Sequence, residues 1–291
     1  MLCILFINDL PGVVSSSCKL FADDTKIYGS SDNYQNIQDD IHSLFQWSMM
    51  WQLAFNISKC KTLHIGKSNP CHTYFVDTSK SESMAVCECE KDVGVVFDRF
   101  LNFDLHIDSC VNRATRMLGV ILRSFVNLDG LLFIFLYKSL IRSILEYGNC
   151  IWSPMYKRQS ISIENVQRRA TRLIRVISDF SYEDRLLYLD LPSLKYRRIR
   201  GDLIQLYRLV HNIDNLEPTN FFTYSNVTFT RGDKFKIYMS RCTTSVRHNS
   251  FIQRTLKTWN GLNFNSKNAK SLDIFKKLID MELVDFKYMY D

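Results

Sequence analysis

A chain of 291 residues with 46% apolar and 13% aromatic content can bury one large core or two ordinary ones. Ten glycines, five prolines and no visible repeat or low-complexity tract exclude a fibrous chain, or one disordered over most of its length. The net charge of +7 is uneven, because seventeen Lys plus Arg face eight Asp plus Glu between Cys110 and Val210 while the remainder is slightly acidic.

The apolar start CILFINDLP has no basic flank and meets Asp9, and the run LLFIFLYKSLIRSIL is broken by Lys138 and Arg142, so neither reads as a signal peptide or membrane span. Nine cysteines, an odd number without a secretory signal, predict free thiols in an intracellular compartment, nucleus or cytoplasm. Cys87 and Cys89 form a C-x-C and His72 follows Cys71, but no second pair stands at zinc-ligand spacing.

In chain order, residues 1–30 read as the end of an element, a turn at Pro11 and Gly12, and a hairpin, KLFADDTKIY, from Lys19 to Tyr28. Asp23 and Asp24 at its tip have two readings: solvated turn formers that bond their own backbone, or ligands of the divalent-ion pair that template-directed polymerases clamp with carboxylates. From Asp32 the pattern is helical, with Ile37, Ile41, Leu44, Phe45, Ser48 and Trp51 on one face and Asp39 and Asp40 on the other. Trp47 and Trp51 read as core rather than base-stacking platforms. LAFN and KTLHIG are expected strands, joined by a turn carrying Lys59 and Lys61. Residues 68–86 are an expected loop or loose hairpin. The segment from Cys87 to Phe103 alternates as a strand pair in which Gly94 permits close backbone approach.

From about Asn102 the chain is predicted helical. Leu105, Val111, Ala114, Met117, Leu118, Ile121, Leu122 and Phe125 mark one amphipathic helix, and Leu131 to Tyr147 a second, apolar nearly all round. In a third, Ser160 to Ile177, Arg168, Arg172 and Arg175 share a face and Arg169 flanks it, while YRRIRGD adds Arg197 and Arg198 in a fourth. These arginines are either solvated helix faces or a ridge that follows a phosphate backbone without reading sequence. Pro218 marks a boundary before VTFTRGDKFKIYM, whose RGD reads as chance, and the tail from Phe251 to Phe286 returns to helix.

The hairpin and four ordered blocks downstream of it, WSMMWQLAFNISKCKTLHIGK, DVGVVFDRFLNFDLHI, LYKSLIRSILEYGNCIWSP and VQRRATRLI, together resemble the reverse transcriptase of jockey-like non-LTR retrotransposons. The likeness runs from LFINDLP at Leu5 to Trp259, Asn260 and Leu262. The chain departs from that family at Asn263, usually proline, and at Val93, commonly leucine. The resemblance implies an α+β chain: a partial polymerase palm of antiparallel hairpins plus helix in 1–100, a helical thumb-like basic bundle in 101–215, and a mixed, mostly helical C-terminal region in 216–291. It implies Asp23 and Asp24 as ligands of Mg2+ or Mn2+ in the intact enzyme, Lys59 as an aid to pyrophosphate departure, Gly94 in a primer-grip-like strand pair, and a primer-template duplex of RNA and DNA as partner. In that family the fingers, the first catalytic aspartate and a Gly-rich nucleotide segment precede the point matching Met1, so the expectation is a C-terminal fragment that is inactive alone. Two other readings stay open, a non-catalytic nucleic-acid-binding remnant and a functionless pseudogene product.

Overall fold

The computed structural model describes residues 7–77, 79, 81–125, 129–225 and 233–290. It is an α+β structure that divides into two compact units, Met1–Leu101 and Asn102–Asp291.

In the first unit, strands β1 (Ser17–Phe21) and β2 (Asp24–Tyr28) form an antiparallel hairpin whose two-residue loop is Ala22 and Asp23. Alternation turns Cys18, Leu20 and Ile27 toward helix α1 (Tyr34–Met50), where they pack on Leu10, Leu44 and Trp47. The other strand face, with Lys19, Phe21, Asp24 and Lys26, is exposed. Trp47 is core as expected, whereas Trp51 stays partly exposed. Asp40, expected on the polar face, is buried: it accepts from Ser15 N at 2.7 Å, Ser15 Oγ at 3.0 Å and Ser16 N at 2.8 Å, fixing the approach to β1. Burial alone would raise its carboxyl, but the Ser16 and Ser15 hydrogen bonds prevail and hold it below its ordinary value. Its contribution to stability is therefore present above the unfolded carboxylate value and fades as pH falls through the lower folded one.

LAFN is not a strand. Helix α1 closes in a Schellman motif: Gln52 has φ 55°, its N–H reaches Met49 O at 3.3 Å, and Leu53 N reaches Ser48 O at 3.0 Å. KTLHIG gives only the short β3 (Lys61–Leu63), parallel to β4 (Ala85–Cys87). The loop between them is pinned by Gln38, whose amide exchanges hydrogen bonds of 2.7 and 2.8 Å with the Phe75 backbone. β5 (Cys89–Asp92) and β6 (Val95–Asp98) form a second antiparallel hairpin. Among the described residues the strands thus form three separate two-stranded sheets.

Val93 does not lie in a buried strand. It shares with Gly94 the two-residue turn between β5 and β6, with φ 42° and 83° respectively, the left-handed pair that a type I′ turn requires. A β-branched residue is strained there, and Val93 is exposed, so it gives up little burial if replaced. Val93→Asn is expected to stabilise the first unit by about 0.5–1 kcal/mol, the scale of relieved left-handed strain. The check is the urea midpoint, and an unchanged or lower midpoint contradicts it.

In the second unit, helix α2 (Asp104–Ser124) buries His106, Ile107, Cys110, Ala114, Leu118 and Ile121. That face is rotated from the predicted one, because Leu105 and Leu122 are exposed. Next come α3 (Gly130–Leu136), a π-helical stretch Tyr137–Arg142 and a short helix Ser143–Glu146. Phe133, Tyr137, Ile141 and Leu145 are fully buried at four-residue steps. A regular α-helix would rotate such a row away from the core, and the wider π turn keeps it facing inward. Leu131 and Phe135 point to solvent.

Helix α4 (Lys157–Thr171) is shorter than expected, with Arg172 as its C-cap, followed by a 3-10 turn, Arg175–Ile177. Helices α5 (Tyr182–Tyr188) and α6 (Leu194–Val210) close like α1, with Asp190 at φ 45° and Asn212 at φ 50° in place of glycine. The tail contributes α7 (Phe251–Gly261) and α8 (Leu272–Glu282). Leu203, Leu206 and Tyr207 of α6 share one core with Leu256 and Trp259 of α7 and Phe275 and Ile279 of α8. A boundary at 215/216 would cut through that core, so 102–291 fold as one body. The RGD segment falls partly outside the described residues.

Candidate functional site

The hairpin tip is built by an unusual turn. Ala22 sits at φ 53°, a region that costs an L-residue roughly 1–2 kcal/mol, and the residues after it are the two carboxylates. Asp23 and Asp24 are both exposed, and neither makes a hydrogen bond or ion pair with another described residue. Asp24 and Lys26 lie on the same face of β2 by their two-residue spacing.

Residues that the sequence reading did not single out join this hairpin to its surroundings. Lys26 pairs with Asp92, and Lys61 with Glu90 at 2.9 Å. Glu90 and Asp92 are two apart on β5 and so share a face, where each meets a lysine from a different strand. The Glu90 hydrogen bond raises the Lys61 ammonium, and the same bond, against burial, lowers the Glu90 carboxyl. Lys59 ends the 3-10 turn Ile57–Lys59 and is exposed. The two ion pairs bring its loop and the aspartate hairpin onto one face of β5, next to the Val93–Gly94 turn. No local sequence signal marks such pairs, since their partners are 29 and 66 residues apart.

This donor set does not fit a two-ion centre by itself. Two carboxylates on one hairpin leave both ions short of ligands from a second strand, and among the described residues no group of three or more His, Cys, Asp or Glu comes together. The eight described cysteines are free thiols, Cys71, Cys87 and Cys89 among them.

The arginines fall into two classes. Arg169, Arg172 and Arg175 are exposed, without a described partner. Because α4 ends at Thr171, Arg175 lies beyond the helix, and the predicted common face of Arg168, Arg172 and Arg175 does not form. Arg168 is committed, its guanidinium stacked on the rings of Tyr182 at 4.9 Å and Tyr290 at 5.1 Å and donating to Asn165 at 2.9 Å. Arg197 is held by Glu146 in a fork, one arm at 2.7 Å. Arg198 is buried, a correction to its expected place on an outer ridge. A further arginine, Arg185, is buried beneath the cluster, donating to Phe180 O at 2.6 Å and Thr171 Oγ1 at 3.1 Å. Burial, then the neighbouring Arg172, lower its guanidinium, which shows how concentrated the positive charge is there. The C-terminal end of α4 carries a negative dipole that also favours such cations.

The molecule is thus an α+β protein with an exposed carboxylate hairpin in one unit and a cationic helix end in the other. Among described residues no helix is long and apolar enough to cross a membrane. An uncharacterized protein of Caenorhabditis elegans is 30% identical over 125 residues, 42% of this chain and 61% of that protein, so the chain spans less than two thirds of that relative. No family model matches the chain, and neither does a solved structure.

Proposed function

We propose that this chain derives from the RNA-directed DNA polymerase of a non-LTR retrotransposon, with the first unit corresponding to part of the palm and the second to the thumb and the region beyond it. The observation that carries the reading is the strained Ala22 turn holding two unpaired, adjacent carboxylates into solvent. Backbone strain of this kind persists where function demands it, and a plain solvated turn gains nothing from an alanine at φ 53°. In an intact polymerase of this kind Asp23 and Asp24 supply part of the ligand set for Mg2+ or Mn2+, and the Lys59 ammonium stabilises charge growing on the departing pyrophosphate. In this chain the donor set is too small for catalysis, and the retained activity is nucleic-acid binding inside the cell.

The specific support for binding is the exposed trio Arg169, Arg172 and Arg175, each free to meet a phosphate. Binding to an RNA–DNA duplex is expected to weaken linearly in log affinity against log salt, and Arg172→Ala with Arg175→Ala to reduce the slope by about two, roughly 0.9 per lost contact. Fluorescence anisotropy over a salt series measures both. Absence of binding, or a slope unchanged in the double variant, overturns the assignment.

A further inference from the structure

Arg198 is the outlier among the arginines, and what surrounds it is a pocket of about 220 Å³ inside the second unit. Lys195, Arg198 and Asp202 line one wall from successive turns of α6, with Ser160 of α4 on a second side and Arg254 and Thr258 of α7 on a third. Two of these charges cancel. Arg254 donates to both Asp202 oxygens, at 2.7 and 2.9 Å, and its remaining donors reach the carbonyls of Asn149 at 2.8 Å, Cys150 at 3.1 Å and Asn249 at 3.1 Å.

Arg198 is not cancelled in that way. It is 7% exposed, its Nη2 donates to Ser160 Oγ at 3.1 Å, and its Nη1 is buried with no hydrogen-bond partner. Because Ser160 is itself on the pocket wall, it is the guanidinium end and not the aliphatic stem that reaches the pocket. The other carboxylate whose charge bears on Arg198, Glu164, is occupied by Tyr182 Oη at 2.6 Å and Leu194 N at 3.1 Å. A charged donor buried without a partner is among the costliest features a fold can keep, and an anion in the pocket removes that cost.

We infer that this pocket binds a phosphate group, either free phosphate or a phosphate monoester. The guanidinium cannot offer a flat two-pronged fork to a carboxylate, because Nη2 is committed to Ser160. What remains are single donors arriving from different directions: Arg198 Nη1, the hydroxyls of Ser160 and Thr258, and the positive charge of Lys195. That arrangement suits a tetrahedral oxyanion. The site is separate from the exposed arginine trio and stands whether or not the chain descends from a polymerase.

The test is calorimetric titration of the full chain with inorganic phosphate at constant ionic strength, with chloride as the balancing anion. Saturable binding at one site per chain is expected, abolished in Arg198→Met and weakened about tenfold or more in Ser160→Ala with Thr258→Val, roughly one hydrogen bond's worth. The double hydroxyl variant keeps every charge in place, so it reads the site even if Arg198→Met fails to fold. Heats that only follow ionic strength, or a double variant that binds like the parent, overturn the proposal. Competition then separates the sources: displacement of phosphate by a 5′-phosphorylated dinucleotide but not its 5′-hydroxyl form assigns a nucleic-acid end, and displacement by neither assigns free phosphate. Equal displacement by the 5′-hydroxyl form means that diesters occupy the pocket, and the proposal fails.

Discussion

Primer extension by the purified chain is expected to stay at background on an RNA template in either Mg2+ or Mn2+, and Asp23→Ala with Asp24→Ala is expected to leave that background where it was. The two aspartates project from one hairpin, and no third metal-ligating side chain gathers with them among the described residues. A two-ion reaction needs both the attacking and the leaving oxygen to be met by a metal. Removing a single preorganised stabilising group from an active site typically costs 10²–10³ in rate, on the order of 3–4 kcal/mol, and here a whole strand of ligands is lacking. Lys59 offers no substitute, because an ammonium beside the leaving group helps only after the nucleophile is activated and aligned. Incorporation that requires a divalent ion and disappears in the double variant is the result that overturns this view. It would mean that carboxylates of this chain, or of a second copy, complete the site.

How far these features can be read from residues alone depends on how local their causes are. The aspartate hairpin is legible because apolar alternation flanks a two-residue loop, and both signals lie within ten residues. The helical character of 104–124 and 194–210 is legible from spacing, although the buried face of α2 is not. His106 and Cys110 belong to that face and read as polar or ambiguous, while exposed Leu105 and Leu122 read as core. Helix ends are the least legible. The sequence signals an end with glycine, and here Gln52, Asp190 and Asn212 take the left-handed closing position instead. LAFN therefore looks like a strand, and α4 looks six residues longer than it is. Charge bears on the same point at the level of the site. Five of the six arginines in the expected ridge carry a full charge at similar spacing, yet Arg168 is stacked under two tyrosines and Arg197 is locked to Glu146. What separates them from Arg169, Arg172 and Arg175 is the fold of the C-terminal tail, which brings Tyr290 back onto α4.

Arg254→Met is expected to destabilise the second unit by about 3–5 kcal/mol, the usual consequence of stripping one partner from a buried ion pair. The Arg254 and Asp202 side chains are 12% and 8% exposed, and the guanidinium also satisfies three backbone carbonyls, so its loss leaves a buried carboxylate and three acceptors unmet. The pH dependence identifies the cause. Burial already raises the Asp202 carboxyl above its ordinary value, against the pull of Arg254, and removing the guanidinium raises it further. A carboxyl whose folded value exceeds its unfolded one favours the folded state below the unfolded value and loses that advantage as pH rises through the folded one. The deficit of the variant should therefore shrink on acidification and reach its full size near neutrality, the opposite of the trend at Asp40. Asp202→Asn in the same background should recover part of the loss at neutral pH, since it removes the charge while keeping the shape. Urea unfolding of the three variants across pH supplies the measurement. Arg254 lies on α7 and Asp202 on α6, on either side of the expected domain boundary. A small, pH-independent effect would mean that the C-terminal helices open separately from the thumb-like bundle, and that the shared core does not hold 102–291 together as one cooperative body.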